Sequence, residues 1–67
     1  MDRKIVKLGK IDGSYGAETV KIELLTRGKH AGRYVTRGAG FAGRIAYSTL
    51  ERAMGSVQGH ALFAGWE

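Results

Sequence analysis

Residues 18–25 have the sequence ETVKIELL, which shows the clearest periodicity in the chain. From Val20 to Leu24 every second residue is apolar, and the residues between them are polar. Because side chains alternate between the two faces of an extended backbone, this stretch predicts a β-strand with one buried face. Such a strand is stable only with neighbouring strands, and the flanking sequence supplies candidates on both sides.

The segment before this strand predicts a hairpin partner. Residues 3–11 are rich in strand-favouring residues, although their alternation is imperfect because Ile5 and Val6 are adjacent. Gly9 is expected to mark a bulge or a close neighbour in this strand. The sequence DGSYG at residues 12–16 is typical of a turn, and we expect a hairpin loop longer than the two-residue kind.

After the hairpin the sequence predicts a turn, a third strand and a loop. The turn covers residues 27–32, and residues 33–37, with the sequence RYVTR, form a short strand rich in β-favouring side chains. A glycine-rich loop follows at residues 38–43. These segments extend the predicted sheet by one strand.

The next segment combines strand and helix signals. Ser48 and Glu51 match a capping box, in which a hydroxyl and a carboxylate satisfy free amides at a helix start. A short helix is therefore predicted over about residues 49–56. Residues 44–47 form either a fourth strand or an earlier turn of that helix. The strand is favoured because the capping residue needs a non-helical backbone.

The predicted elements define the fold class. Residues 60–66 are expected to form a last strand or a packed tail, with Trp66 on the core or on a neighbouring subunit. We expect an α+β fold, a small antiparallel β-sheet or partly open barrel of about four to five strands with one short helix. Residues 1–67 are expected to form a single small basic domain.

Length and composition limit the classes of function. The chain has 67 residues, no cysteine and eleven glycines. A chain of this size hides only about 60% of its unfolded surface, so a Rossmann enzyme or another large-cavity catalyst is not expected. The lack of cysteine excludes disulfides, zinc ribbons and thiol nucleophiles. Oligomerisation, as a dimer or larger assembly, is the expected means of stabilising so small a core.

The net charge of +5 is concentrated in the middle of the chain. No acidic residue occurs between Glu23 and Glu51, and this interval holds five Lys and Arg residues together with three aromatic ones. Arginine binds phosphate with two parallel hydrogen bonds, and aromatic rings stack on bases. This composition predicts a surface in residues 27–47 that binds a phosphate-bearing ligand. The simpler alternative is a solvated basic face with the aromatic rings in the core.

The expected ligand contacts divide between phosphate and base. Phosphate contacts are predicted for four cations, Lys29, Arg33, Arg37 and Arg44. Stacking on a base is predicted for Tyr34 or Phe41. If strand alternation holds, Arg33 and Arg37 share one face of the third strand, and Tyr34 lies on the other.

The glycine-rich loop, GAGFAG, matches the dinucleotide-binding pattern G-x-G-x-x-G. A dinucleotide-binding fold is not expected, because the chain after it is too short and the position about 20 residues on is Gln58 rather than an acid. A smaller prediction remains, in which the backbone amides of Gly38, Gly40 and Gly43 form an anion-binding nest. The alternative is a hairpin loop, or glycines required where two subunits touch.

No catalytic or metal-binding constellation is predicted. The two histidines, His30 and His60, lie in or near turns without an acid to orient them. Two separated histidines are too few to hold a metal ion. We therefore expect a protein that is not an enzyme and carries no cofactor. No apolar run approaches the length of a membrane span or a signal peptide, and a cytoplasmic location without membrane association is expected.

The favoured function is non-enzymatic binding of a phosphate-bearing ligand, nucleic acid above all. One alternative is an oligomeric protein that binds or sequesters a nucleotide signal, as in phage counter-defence. A second is a small inhibitor whose basic face covers a protein target. The basic, β-rich outline is similar to chromatin-like DNA-coating domains and small RNA-binding barrels, although no motif from them matches. Its size and charge are also typical of phage and plasmid accessory proteins.

Overall fold

The computed structural model describes residues 3–13 and 16–67, which form an open antiparallel sheet of five strands with one short helix. The elements in chain order are β1 (Arg3–Gly13), β2 (Gly16–Leu25), β3 (Tyr34–Gly38), β4 (Phe41–Ala42), α1 (Leu50–Gln58) and β5 (Phe63–Trp66). The order across the sheet is β4-β3-β2-β1-β5. The expected combination of a small antiparallel sheet and one helix is confirmed. Within the described ranges, no helix has the length and apolarity needed to cross a membrane.

Strands β1 and β2 form the long hairpin expected from their sequence. They pair from Arg3 opposite Leu25 to Gly13 opposite Gly16. The predicted longer loop is therefore wrong, because both strands continue towards the hairpin end and only positions 14 and 15 separate them. Those two positions of the predicted turn lie outside the described residues.

Gly9 marks a close neighbour rather than a bulge. A Cβ atom at Gly9 would lie 2.9 Å from Cε3 of Trp66, so the missing side chain leaves room for the indole ring. The bulge in β1 lies elsewhere, between Ile5 and Lys7. Trp66 also contacts Phe63 at 5.0 Å between ring centroids, and it packs against the core as expected.

The core lies between one face of the sheet and the helix. Val20 and Ile22 of β2 are fully buried on this face. Ala53 and Val57 of α1, four residues apart on one side of the helix, are fully buried against it. The alternation that predicted β2 therefore describes its buried face correctly, and we call this the helix side of the sheet.

Helix α1 is capped by a different hydroxyl from the one predicted. Thr49 is extended, with φ −135° and ψ 156°, and its Oγ1 accepts a hydrogen bond from the backbone N–H of Arg52 at 3.1 Å. The prediction of Ser48 as the cap is wrong, because Thr49 is the last residue before the helix and its hydroxyl reaches the free amide. The helix begins one residue later than predicted, and it ends at Gln58, two residues later.

The predicted strand at residues 44–47 is not formed. The fourth strand is instead Phe41–Ala42, which pairs with the end of β3 directly after a tight turn. Of the predicted segment, Tyr47 alone pairs with β3, as an isolated bridge to Tyr34. Its backbone N–H donates to the Tyr34 carbonyl at 2.7 Å and its carbonyl accepts from the Tyr34 N–H at 2.8 Å.

Residues 43–46 form an arch along the edge of β3. Ala42 lies opposite Arg37 and Tyr47 opposite Tyr34. Along β3, two residues lie between Tyr34 and Arg37. Along the segment that pairs with them, four residues lie between Ala42 and Tyr47. The longer segment must bend away from the sheet, which prevents a continuous fourth strand.

The glycine-rich loop forms the turn of the β3–β4 hairpin. Gly38 lies opposite Phe41, and the two residues between them, Ala39 and Gly40, have φ values of 51° and 92°. Positive φ at both central residues is the signature of a type I′ turn. Gly38 has φ +94°, and a Cβ there would lie only 2.6 Å from the Thr19 carbonyl oxygen of β2. The hairpin alternative for this loop is therefore the arrangement that the structure shows.

Candidate phosphate-binding face

The second face of the sheet is not covered by the helix, and we call it the open face. Residues directly opposite each other on paired strands project from the same face. Lys21 lies opposite Arg37, and Leu25 lies opposite Arg3. By the same register, Lys10 lies opposite Thr19. The cations of the open face are Arg3, Lys10, Lys21, Arg37 and Arg33, the last of which directly precedes β3.

Three arginines surround a groove at one end of this face, which we call the arginine groove. Arg3 comes from β1, Arg33 from the residue directly before β3 and Arg44 from the arch. The groove has a volume of about 480 Å³, and no acidic side chain is among the described residues that line it. Its remaining lining is aliphatic apart from one histidine and one glycine, namely Leu25, His30, Val35, Gly43, Ile45 and Ala46.

Each of these arginines is positioned by a different long-range contact. Arg3 is carried to the groove by the β1–β2 register, which sets it opposite Leu25. The Arg33 carbonyl accepts a hydrogen bond from the Leu25 backbone N–H at 2.9 Å, which holds the chain against the end of β2. Arg44 reaches the groove because the arch bends back beside β3. The groove is therefore a product of the sheet topology.

A second group of cations lies further along the open face. Lys21 and Arg37 are directly opposite each other on β2 and β3. Between this pair and the arginine groove lies Glu23, whose Oε1 is 3.5 Å from Nη1 of Arg3 and 3.9 Å from Nη1 of Arg37. The Glu23 side chain is only 15% exposed, while both arginines are about half exposed, at 45% and 51%. One carboxylate thus orients two guanidinium groups that remain accessible.

At the end of the open face away from the arginine groove, positive and negative charges are more nearly equal in number. Lys10 Nζ lies 3.7 Å from Oε1 of Glu67. Both side chains are about half exposed, so this ion pair is weak and screened by water. The uncompensated positive charge therefore lies towards the arginine groove and the Lys21–Arg37 pair.

The aromatic residues predicted to stack on bases lie on the other side of the sheet. Tyr34 is opposite Leu24, which belongs to the helix side, and its bridge partner Tyr47 donates a hydrogen bond to Ser56 Oγ of α1 at 2.7 Å. Phe41 packs against the core, and its ring centroid is 5.9 Å from that of His60. Phe41 nevertheless lines a smaller pocket of about 250 Å³ together with Arg44, Gly40 and Gly43, so the structure brings one predicted stacking residue together with one predicted phosphate-binding arginine.

The other predicted site residues are divided between the groove and its surroundings. Arg33, Arg44 and Gly43 line the arginine groove together, and Arg37 lies further along the same face. Lys29 is exposed in the turn before β3 and does not line the groove. Gly38 and Gly40 belong to the β3–β4 turn.

Sequence reasoning missed Arg3 and Lys21, because both lie outside the acid-free interval. Their presence beside Arg33 and Arg37 depends on the pairing of β1, β2 and β3. The alternation in residues 18–25 did place Lys21 on the exposed side of its strand. Combining that alternation with a hairpin register would have found Lys21, and then Arg3.

The histidines and acids do not assemble into a metal site in the described part of the chain, where no three of them come together. His30 lines the arginine groove, whereas His60 Nδ1 accepts a hydrogen bond from the Leu62 backbone N–H at 3.1 Å. Comparisons with protein-family models, curated proteins and solved structures gave no match, so function is inferred from the residues of this chain.

Proposed function

We propose that this protein binds the phosphate groups of nucleic acid through its open face, without catalysing a reaction. The arginine groove is the observation that carries this proposal. Arg3, Arg33 and Arg44 converge there from three separate segments, and none of the described lining residues is acidic, although Glu23 beside the groove lies 3.5 Å from Arg3. A guanidinium group donates two parallel hydrogen bonds to a phosphate, and three such groups in one groove favour an anion with several oxygens.

The charges next to the groove favour a polymer over a single phosphate. Lys21 and Arg37 lie on the same face, beyond Glu23. A mononucleotide in the groove would leave this second group unused, whereas a chain of phosphates contacts both groups. The shallow, open surface also resembles the exposed basic surfaces that bind nucleic acid backbones.

The salt dependence of binding tests this function. For about five phosphate contacts, we expect the affinity for a DNA duplex of about 20 base pairs to fall roughly 500-fold between about 50 and 200 mM NaCl, because each contact releases counterions. Fluorescence anisotropy with a labelled duplex measures the slope. An affinity that does not change with salt, or no binding at the lowest salt, contradicts the proposal. Displacement of the duplex by equimolar mononucleotide favours the nucleotide-binding alternative.

The Glu23→Gln substitution is expected to tighten nucleic acid binding by about 3-fold, because it removes a negative charge within the cation surface. The amide keeps an oxygen that accepts the hydrogen bond from Arg3, so the orientation of Arg3 is largely retained, while the longer 3.9 Å ion pair with Arg37 is lost. Anisotropy titrations at fixed salt measure the change. Glu18→Gln is the matched control, since Glu18 is exposed on the same strand but lies opposite the buried Ile11. Equal tightening in both variants would count against the open face as the binding surface.

A further inference from the structure

Building on the proposed function, we infer that the protein binds single-stranded nucleic acid and holds one unstacked base in a pocket beside the arginine groove. We call this the ring pocket, because Phe41 and Tyr47 line it. Arg44, Thr36 and Ser56 are among its other lining residues. The inference adds a base-binding site to the phosphate contacts of the open face.

The rings and the size of this pocket suit a single base. Phe41 and Tyr47 are both half-buried, so each keeps surface that a base can contact. The pocket has a volume of about 250 Å³. Sites for drug-sized molecules have volumes of about 300–1,000 Å³, so this smaller pocket suits one base rather than a whole nucleotide. Stacking on aromatic side chains is the usual way in which proteins hold unpaired bases.

Two hydroxyl groups add hydrogen-bonding capacity to the ring pocket. Thr36 of β3 lines it although the residue is only 5% exposed. Ser56 Oγ of α1 accepts a hydrogen bond from the Tyr47 hydroxyl at 2.7 Å, and a hydroxyl that accepts in this way can still donate its own hydrogen. None of the described residues that line the pocket is acidic. The pocket therefore offers stacking surface and hydrogen-bonding groups without a negative charge that repels phosphate.

The arch joins the ring pocket to the arginine groove. Gly43, Arg44 and Ile45 line both sites, so the arch is their common wall. Arg44 is exposed, and its guanidinium group can bind a phosphate of the same strand whose base occupies the ring pocket. One strand can therefore place a base on one side of the arch and its phosphates on the other.

Both ends of the arch are held against the sheet. A Cβ atom at Gly43 would lie 2.9 Å from Cγ of Arg37, so the aliphatic part of Arg37 runs beside the start of the arch. At the other end, Tyr47 is joined to Tyr34 by two backbone hydrogen bonds. A wall held at both ends is largely preformed, which lowers the entropic cost of binding. Arg37, whose side chain is 51% exposed, also provides a further phosphate-binding group next to the arch.

The ring pocket requires a base that is free of a complementary strand. A base inside a duplex is stacked and paired, and moving it out of the helix costs free energy. A base of a single strand enters without that cost, so the pocket favours single strands. DNA and RNA single strands share the chemistry that the two sites recognise, and the test includes both.

The first test compares single-stranded probes with and without bases. Labelled oligo-dT, oligo-U and an abasic deoxyribose phosphate oligomer, each of about 12 nucleotides, are titrated by fluorescence anisotropy at about 100 mM NaCl. We expect the tighter-binding of the two base-containing oligomers to bind at least about 5-fold more tightly than the abasic oligomer, because stacking is added to the same phosphate contacts. That oligomer identifies whether DNA or RNA is preferred.

A competing duplex completes this test. At equal phosphate concentration, an unlabelled DNA duplex is expected to compete at least about 5-fold less well than the preferred single strand. An abasic oligomer or a duplex that binds as well as the preferred single strand overturns the inference but leaves the proposed phosphate binding standing. Failure of every probe to bind, the duplex included, overturns both.

The Phe41→Leu substitution tests the ring pocket itself. We expect it to weaken binding of the preferred single strand by about 5-fold and to leave binding of the abasic oligomer unchanged, because leucine is apolar but cannot stack on a base. Phe63→Leu is the matched control, since Phe63 also packs against the core but is not among the described residues that line the ring pocket. Equal losses for the two oligomers, or in the two variants, contradict the base site. Circular dichroism establishes that each variant is folded, and the abasic comparison on the unsubstituted protein decides the inference without either variant.

Discussion

Replacing Arg33 and Arg44 together by alanine is expected to weaken nucleic acid binding by roughly 100-fold at moderate salt, because two charge-assisted phosphate contacts are lost at about 1.5 kcal/mol or more each. The two residues enter the arginine groove from different segments, the turn before β3 and the arch. The slope of log affinity against log salt is also expected to become shallower by about 1.8, since about 0.9 is contributed by each phosphate contacted. Anisotropy titrations at several salt concentrations give both quantities.

The matched control for this double variant is Lys4→Ala combined with Arg52→Ala. Lys4 is exposed but lies opposite Leu24, and Arg52 is exposed on α1, so this pair removes the same charge from the helix side. We expect the control to keep most of the affinity. Equal losses in the two double variants would mean that net charge alone drives binding and that the groove has no special role. Substitutions of exposed side chains change stability by about 0.5 kcal/mol or less, so all four changes should leave the fold intact.

Gly38→Ala is expected to lower the free energy of unfolding by about 3 kcal/mol, through two additive effects. The residue has φ +94°, a backbone conformation that costs a side chain about 1–2 kcal/mol. The added Cβ would also lie 2.6 Å from the Thr19 carbonyl oxygen, and β2 cannot move aside without disturbing its pairing. In a domain of this size, the midpoint of thermal unfolding should fall by roughly 12–24 °C, as measured by circular dichroism.

Gly40→Ala separates the two effects. Gly40 has φ +92° in the same turn, but a Cβ there would have no heavy atom within 4 Å. We therefore expect this control to lose only the conformational part, about 1–2 kcal/mol. If both variants were destabilised equally, the contact between Gly38 and Thr19 would contribute nothing, and the close packing of the turn on β2 would be wrong.

The sheet and the helix could be predicted because their signals are local. Alternation in β2 identified its buried and exposed faces, and the capping-box pattern located the start of α1 to within one residue. The boundaries of β1, β2, β3 and α1 moved by one or two residues and the start of β5 moved by three, because the end of a strand or helix depends on which neighbour remains available for pairing.

The cap and the arch show where local signals fail. Ser48 and Thr49 are adjacent and both carry a hydroxyl, and Glu51 made Ser48 the match to a capping box. The structure uses Thr49, two residues after the bridge between Tyr47 and Tyr34. The predicted strand at residues 44–47 failed for a related reason. Two extra residues on the returning chain displace it from β3, and no local propensity reveals that mismatch.

The candidate site was predicted only in part. The acid-free interval predicted where positive charge is concentrated, although Arg37 of this interval lies 3.9 Å from Glu23. Strand alternation correctly placed Tyr34 and Arg37 on opposite faces of β3. The same interval suggested that aromatic rings and arginines act together. The structure places Arg44 in one pocket with Phe41 and Tyr47, whereas no Phe, Tyr or Trp is among the described residues that line the arginine groove. The five described rings are only partly buried, and three of them, Phe41, Phe63 and Trp66, pack against the core.

Local sequence thus determined which strand positions are apolar, where the glycine-rich turn lies and that the net charge of the chain is positive. These properties depend only on residue type, neighbouring residues and backbone sterics. Tertiary structure alone decided the composition of the arginine groove. Arg3, Arg33 and Arg44 are far apart in the chain, and they meet because β1, β2 and β3 pair in one register while the arch turns back beside them. A shift of that register by one residue would send these side chains to opposite faces, since the side-chain period of a strand is two.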